Sequence, residues 1–140
     1  MEISVQTVVK YYNDFNQLFF NGELPGTVYL GVHDSFKVPG RYDYYVNDYG
    51  EITRQSISIS RSFDYEPKQF RNILIHEMIH LYLIYFGIDN GKQEHGPKFM
   101  EMMNMMNSIH QLGITVNQDL TQFKPAKGTS KMKWFFTKNF

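Results

Sequence analysis

The chain of 140 residues carries 14 basic and 14 acidic side chains, with 42% hydrophobic and 16% aromatic residues. That is enough apolar material for one core in a single domain, and zero net charge leaves no global field to draw the molecule onto nucleic acid or an anionic membrane. Because the chain has no cysteine, a disulfide framework and a thiol nucleophile are excluded, and no stretch reaches the ~18 apolar residues of a membrane span.

The opening residues MEISVQTVVKYY have neither a basic leader before an apolar run nor a cleavage signature, so a soluble, cytoplasmic protein is expected. Val8, Val9, Tyr12, Phe15, Phe19 and Phe20 fall near helical spacing, with Asn21-Gly22 as a stop; an amphipathic helix from about Ser4 to Asn21 follows. Val28 to Val32 and Tyr42 to Val46 read as strands, and Asn47 to Gly50 as a turn. Glu51 to Ser60 returns with the alternation Ser56, Ile57, Ser58, Ile59, Ser60, which predicts a small antiparallel sheet with one wet face. Pro67 opens a long apolar helix that Gly87 can end, and Pro97 opens another to about Leu112, before Gly113. On this last helix Phe99, Met102, Met103, Met106 and Ile109 recur at intervals of three and four, the pattern of a pliable core face.

The most informative stretch is His76-Glu77-Met78-Ile79-His80, inside the apolar run FRNILIHEMIHLYLIYF. Four residues advance about 400° around a helix, so the two imidazoles stand only about 40° apart and one turn apart along the axis. They form a chelating pair, and Glu77 stands beside it to accept a proton from water. A helix apolar on nearly every side is buried, and unpaired polar groups there cost roughly 2–7 kcal/mol. One metal ion supplies a partner for all three. Zinc with an open coordination position needs a further donor, normally histidine or carboxylate. His95, after the polar loop Asp89 to Gln93 and directly before Gly96-Pro97, is the best placed. Glu94 and Glu101 are the carboxylate alternatives, while His33 and His110 read as a strand-end and a helix-end residue.

HEMIHLYL, the polar loop and EHGPKFMEMMNMMN together resemble the active-site helix, loop and third-histidine block of the SprT-like zinc metallopeptidases. Upstream, YNDFNQLFFNGELPGTVYLGVHDSFKVPGRY is similar to that family's opening helix, its F-x-G-x-L-P turn and the strand that follows, and SISISRSF to the strand leading into the active-site helix. The similarity covers roughly Val8 to Ile109. It implies a zincin-like α+β fold: an N-terminal helix, a three-stranded antiparallel sheet, the active-site helix and a following helix. It also implies one Zn2+ per chain on His76, His80 and His95, with Glu77 as general base of an endopeptidase whose targets extend to DNA-associated proteins. A cysteine-built zinc ribbon, carried by many members after this domain, has no counterpart in these residues, and the eleven-residue metzincin spacing is absent as well.

A metallopeptidase domain over residues 1–119 and a tail over 120–140 are therefore expected. The tail holds Lys124, Lys127, Lys131, Lys133 and Lys138 with Trp134, Phe135, Phe136 and Phe140, and no acid. Basic and aromatic residues so mixed can hold single-stranded DNA; docking of Trp134 to Phe136 on the domain is the preferred reading. Besides a protein or peptide substrate the partners expected include that DNA but no membrane, with the oligomeric state open. The alternative function is a non-catalytic, zinc-stabilised module that binds DNA or protein.

Overall fold

The computed structural model describes residues 1–127. The tail residues Lys131, Lys133, Trp134, Phe135, Phe136, Lys138 and Phe140 lie outside the described residues. Three helices, α1 (Val5–Phe19), α2 (Pro67–Tyr85) and α3 (Pro97–His110), accompany strands β1 (Tyr29–His33), β2 (Gly40–Val46), β3 (Ile52–Ser60), β4 (Phe63–Asp64) and β5 (Lys124–Pro125). The architecture is α+β. Among the described residues no helix is long and apolar enough to cross a membrane.

α1 begins at a capping box, in which the Ser4 and Thr7 side chains each accept from the other's backbone N–H. It ends where Asn21 and Gly22 turn left-handed, at φ 54° and 71°. Val8, Tyr12, Phe15 and Phe20 are buried as the periodicity predicts, whereas Phe19 is half-buried and Val9 is exposed. α2 starts at Pro67, with the Gln69 side chain accepting from the Glu66 N–H. Ile73, Leu74, Ile75, Met78, Ile79 and Leu81 are all at most 1% exposed, so α2 is enclosed for two turns and forms the axis of the core. It meets α1, α3, β2 and β3.

The sheet is mixed rather than antiparallel. Its order is β1-β3-β2, with β3 antiparallel to β2 but parallel to β1. The reason is parity of reversals: the chain turns back once between β1 and β2 and again in the β2–β3 hairpin, so β3 runs as β1 does. β3 can enter between them because residues 34–39 wrap around its end. The Ser60 N–H donates to the Pro39 carbonyl at 2.7 Å, the Arg61 N–H to the His33 carbonyl at 2.8 Å, and the Ser60 hydroxyl to the Ser35 carbonyl at 2.6 Å. Ile57 and Ile59 face the core at 0% exposure while Ser56 and Ser58 face outward, as period-two alternation demands.

α3 buries Phe99, Met103 and Met106, whereas Ile109 is left 63% exposed. The helix closes earlier than expected, with Gln111 in the left-handed conformation at φ 56°. Asn107 causes this. Its side chain brackets Ile114, accepting from the N–H at 2.9 Å and donating to the carbonyl at 2.9 Å. Within the segment grouped by sequence with the tail, β5 pairs with β4, and the Phe123 ring packs edge-on against Phe63 and Tyr65.

Candidate metal centre

His76 and His80 project from the middle of α2 into a cleft of about 650 Å³ bordered by residues 37–44, by Gln93 to His95 and by residues 116–118. His95, in the α2–α3 loop, points back at the pair. Its Nε2 lies 3.1 Å from Nε2 of His76 and 3.3 Å from Nε2 of His80. Among the described residues these three form a group that could hold a metal ion, their donor atoms all within 4.8 Å. Glu94 lines the cleft without joining that group, and Glu101 is exposed on α3. His33 and His110 lie elsewhere: His33 bonds Ser58 and the Val38 carbonyl, and His110 ends α3 edge-on to Phe19.

The chemistry of the donors fits a cation. A carbonyl only accepts, so the contact of His76 Nδ1 with the Thr115 carbonyl at 2.9 Å requires the proton on Nδ1 and leaves Nε2 a bare lone pair. Burial, opposed by the Thr115 bond and aided by His95, lowers the His76 imidazolium to about 4, and burial with His76 and His95 beside it lowers His80 to about 3. A proton on the His95 Nε2 can bond one neighbouring nitrogen at these spacings, whereas a single cation accepts the lone pairs of all three rings at once. Imidazole nitrogens on a small tetrahedral ion stand about 3.3 Å apart, close to the spacings observed.

Phe99 underlies the cluster. Its ring, 0% exposed, touches all three imidazoles at centroid distances of 4.9 Å from His76, 4.5 Å from His80 and 4.8 Å from His95. Tyr42 covers His80 from the other side, nearly parallel at 6.4 Å, its hydroxyl donating to Gln55 at 2.8 Å. Periodicity marked Phe99 only as core, and nothing in the string marks the Thr115 carbonyl, since every residue carries the same atom.

Glu77 is 7% exposed and opens into the same cleft. No hydrogen bond ties its carboxyl to the described residues. Burial, reinforced by Glu94 and Asp43, pushes this acid up to about 8. Gly40 explains its placement: a Cβ there would stand 2.9 Å from Glu77 Oε2 and 2.8 Å from Ile73 Cγ2. Only a bare backbone lets the start of β2 close over the helix. Since β3 is paired on both sides, β2 is the edge strand beside the cleft and Ser56 to Ser60 cannot receive an added strand.

Converging imidazoles beside a buried acid at the foot of an open cleft define a candidate metal centre of the kind found in metal-dependent hydrolases. The match to the SprT-like family runs over residues 8–120, and the chain belongs to that family. Over 49 residues it is 41% identical to the DNA-dependent metalloprotease SPRTN of Homo sapiens. The aligned stretch is 35% of this chain and 10% of the human protein, so the chain matches about a tenth of that relative's length.

Proposed function

We propose that the chain is a zinc-dependent endopeptidase, with one zinc ion held by His76, His80 and His95 and Glu77 as general base. The observation that carries this reading is the convergence of the three Nε2 atoms, at 3.1 and 3.3 Å, next to an acid that is not consumed by structural hydrogen bonds. Zinc, when bound, supplies a Lewis acid that brings a water toward ionisation near neutral pH, and a positive charge that favours the carboxylate form of Glu77. Glu77 accepts the proton of the attacking water and returns it to the departing amine. The Thr115 carbonyl keeps His76 in the tautomer whose Nε2 can ligate, and Phe99 holds the three rings at a fixed mutual angle.

The free edge of β2 supports recognition of an extended main chain by strand addition, reading backbone more than side chains. Tyr44 lines the cleft, whereas Tyr45 is 57% exposed and the Tyr42 hydroxyl is committed to Gln55; Tyr44 is thus the freer donor for an oxyanion. The relationship to a DNA-dependent metalloprotease supports DNA-associated proteins as targets, and the lack of cysteine suits a cytoplasmic setting. The helix that carries His76 and His80, with His95 turned toward it, supports a zincin-like classification.

Metal analysis and peptidase assays on an unstructured protein substrate test the proposal. Wild type should carry near-stoichiometric zinc, His95→Ala should lose most of it, and Glu77→Gln should keep zinc and fold while losing hydrolysis. Turnover by Glu77→Gln equal to wild type removes the mechanism. A non-catalytic zinc-braced module is the reading left if all three proteins hold zinc alike and none cleaves.

A further inference from the structure

The outer face of the sheet, opposite the metal centre, carries a ladder of three side chains across all three strands. Arg54 on β3 lies over the Tyr29 ring of β1 at 4.7 Å and within 5.9 Å of the Tyr45 ring of β2. Both tyrosines are open to solvent, 61% and 57% exposed. The neighbouring outward positions on β1 and β3 are small, while β2 presents Asp43 and Arg41 there. By register Ser56 lies opposite Tyr29 and Asp43, and Gly31 opposite Ser58, and a Cβ added at Gly31 would meet nothing within 4 Å. The result is a shallow floor with two aromatic rings and a guanidinium at one end.

Charge on this face is also unbalanced. Arg41 is paired with Asp43 at 3.6 Å, whereas none of the ion pairs among the described residues includes Arg54. A guanidinium clamped between rings keeps its N–H edge for an anion and has lost most of its rotamer freedom.

We propose that this face, through Tyr29, Arg54 and Tyr45, is a docking surface for single-stranded DNA. The ring faces turned away from Arg54 take stacked bases, its N–H edge takes a backbone phosphate, and the glycine and serine positions of β1 and β3 let the strand lie close. Duplex DNA, with its bases already stacked and paired, offers this surface phosphates alone. An acidic peptide satisfies the arginine but leaves both rings without a planar partner. Tyr29, Arg54 and Tyr45 are not among the residues that line the cleft, so the proposal stands whether or not the chain hydrolyses peptides.

The test is fluorescence anisotropy of a labelled twelve-nucleotide oligothymidylate with the full chain. Tyr29→Ser with Tyr45→Ser should weaken binding about tenfold or more, and Tyr29→Phe with Tyr45→Phe should restore it, because phenyl rings still stack. Arg54→Gln should lower the salt slope by about 0.7, the loss of one phosphate contact on a single strand. The ladder-dependent loss should persist when Lys131, Lys133 and Lys138 are changed to glutamine, which separates this surface from the tail. As a second measurement on wild type, backbone amide shifts on adding the oligonucleotide should centre on Gly31, Ser56 and Arg54. Serine variants that bind as wild type does, or amide shifts confined to other regions, overturn the proposal.

Discussion

Gly40 and Phe99 act on the centre from opposite sides, and neither is a candidate ligand. At Gly40 a methyl group would press on the buried Ile73 side chain and on the Glu77 carboxyl at once. Gly40→Ala is expected to displace that carboxyl and reduce peptide hydrolysis at least tenfold, with zinc retained; kcat measured beside metal content distinguishes this from loss of the ion. Phe99→Ala removes a fully buried ring and its contacts with three imidazoles. Unfolding in urea should show a loss of about 3–5 kcal/mol, and a cobalt-substituted protein should show an altered visible spectrum as the ligand angles relax. Sequence reading identified His76, Glu77 and His80 because their spacing is a property of one helix. It saw Phe99 only as a core residue, because helical periodicity reports which side of an element is buried and not what lies across from it.

At the scale of elements, the chain just after α3 matters more than its lack of regular structure suggests. Asn107 brackets Ile114, and the next carbonyl, of Thr115, orients His76. Asn107→Ala leaves the N–H and carbonyl of Ile114 without these partners and should cost about 1–3 kcal/mol. Because the Thr115 carbonyl then loses its anchor, zinc affinity should also fall, by about tenfold on the scale of an outer-shell defect; a competitive chelator titration measures it. The same bracket explains why Gly113 is not the helix stop: a side chain reaching seven residues ahead closes the helix before the glycine is met. The strands show a parallel lesson. Alternation in Ser56 to Ser60 located β3 and its buried face, but alternation carries no information on neighbours, and so it misjudged the direction of β1.

Over the whole molecule, burial of the site sets a pH dependence for the metal-free protein. His76 and His80 are held at about 4 and about 3, below the ordinary 6.5. The unfolded chain therefore binds protons that the folded one refuses, and stability is lost as pH falls below about 6.5. Glu77 works in the other direction. Its acid is raised from 4.5 to about 8, so the folded protein keeps a proton that the unfolded chain releases, and stability declines as pH rises through that window. With two imidazoles against one carboxyl, the contributions cross near pH 6.5, where urea midpoints of the metal-free protein should be highest. Glu77→Gln should abolish the decline between about pH 6.5 and 8 while leaving the acid limb in place.

The amino-acid string alone determined what depends on local geometry: the helix bearing His76, Glu77 and His80, the buried face of β3, the Asn21-Gly22 stop of α1 and the prolines that open α2 and α3. Tertiary structure decided the rest. It brought His95, rather than Glu94 or Glu101, to the pair on α2, made the sheet mixed, put β2 on the edge of the cleft, and supplied the Thr115 carbonyl, the Phe99 ring and the close approach at Gly40. Helix and strand periodicity constrain positions only within an element, because backbone hydrogen bonds repeat there. Where two elements meet depends on loop conformations and on the packing of one core, and those are properties of the folded chain as a whole.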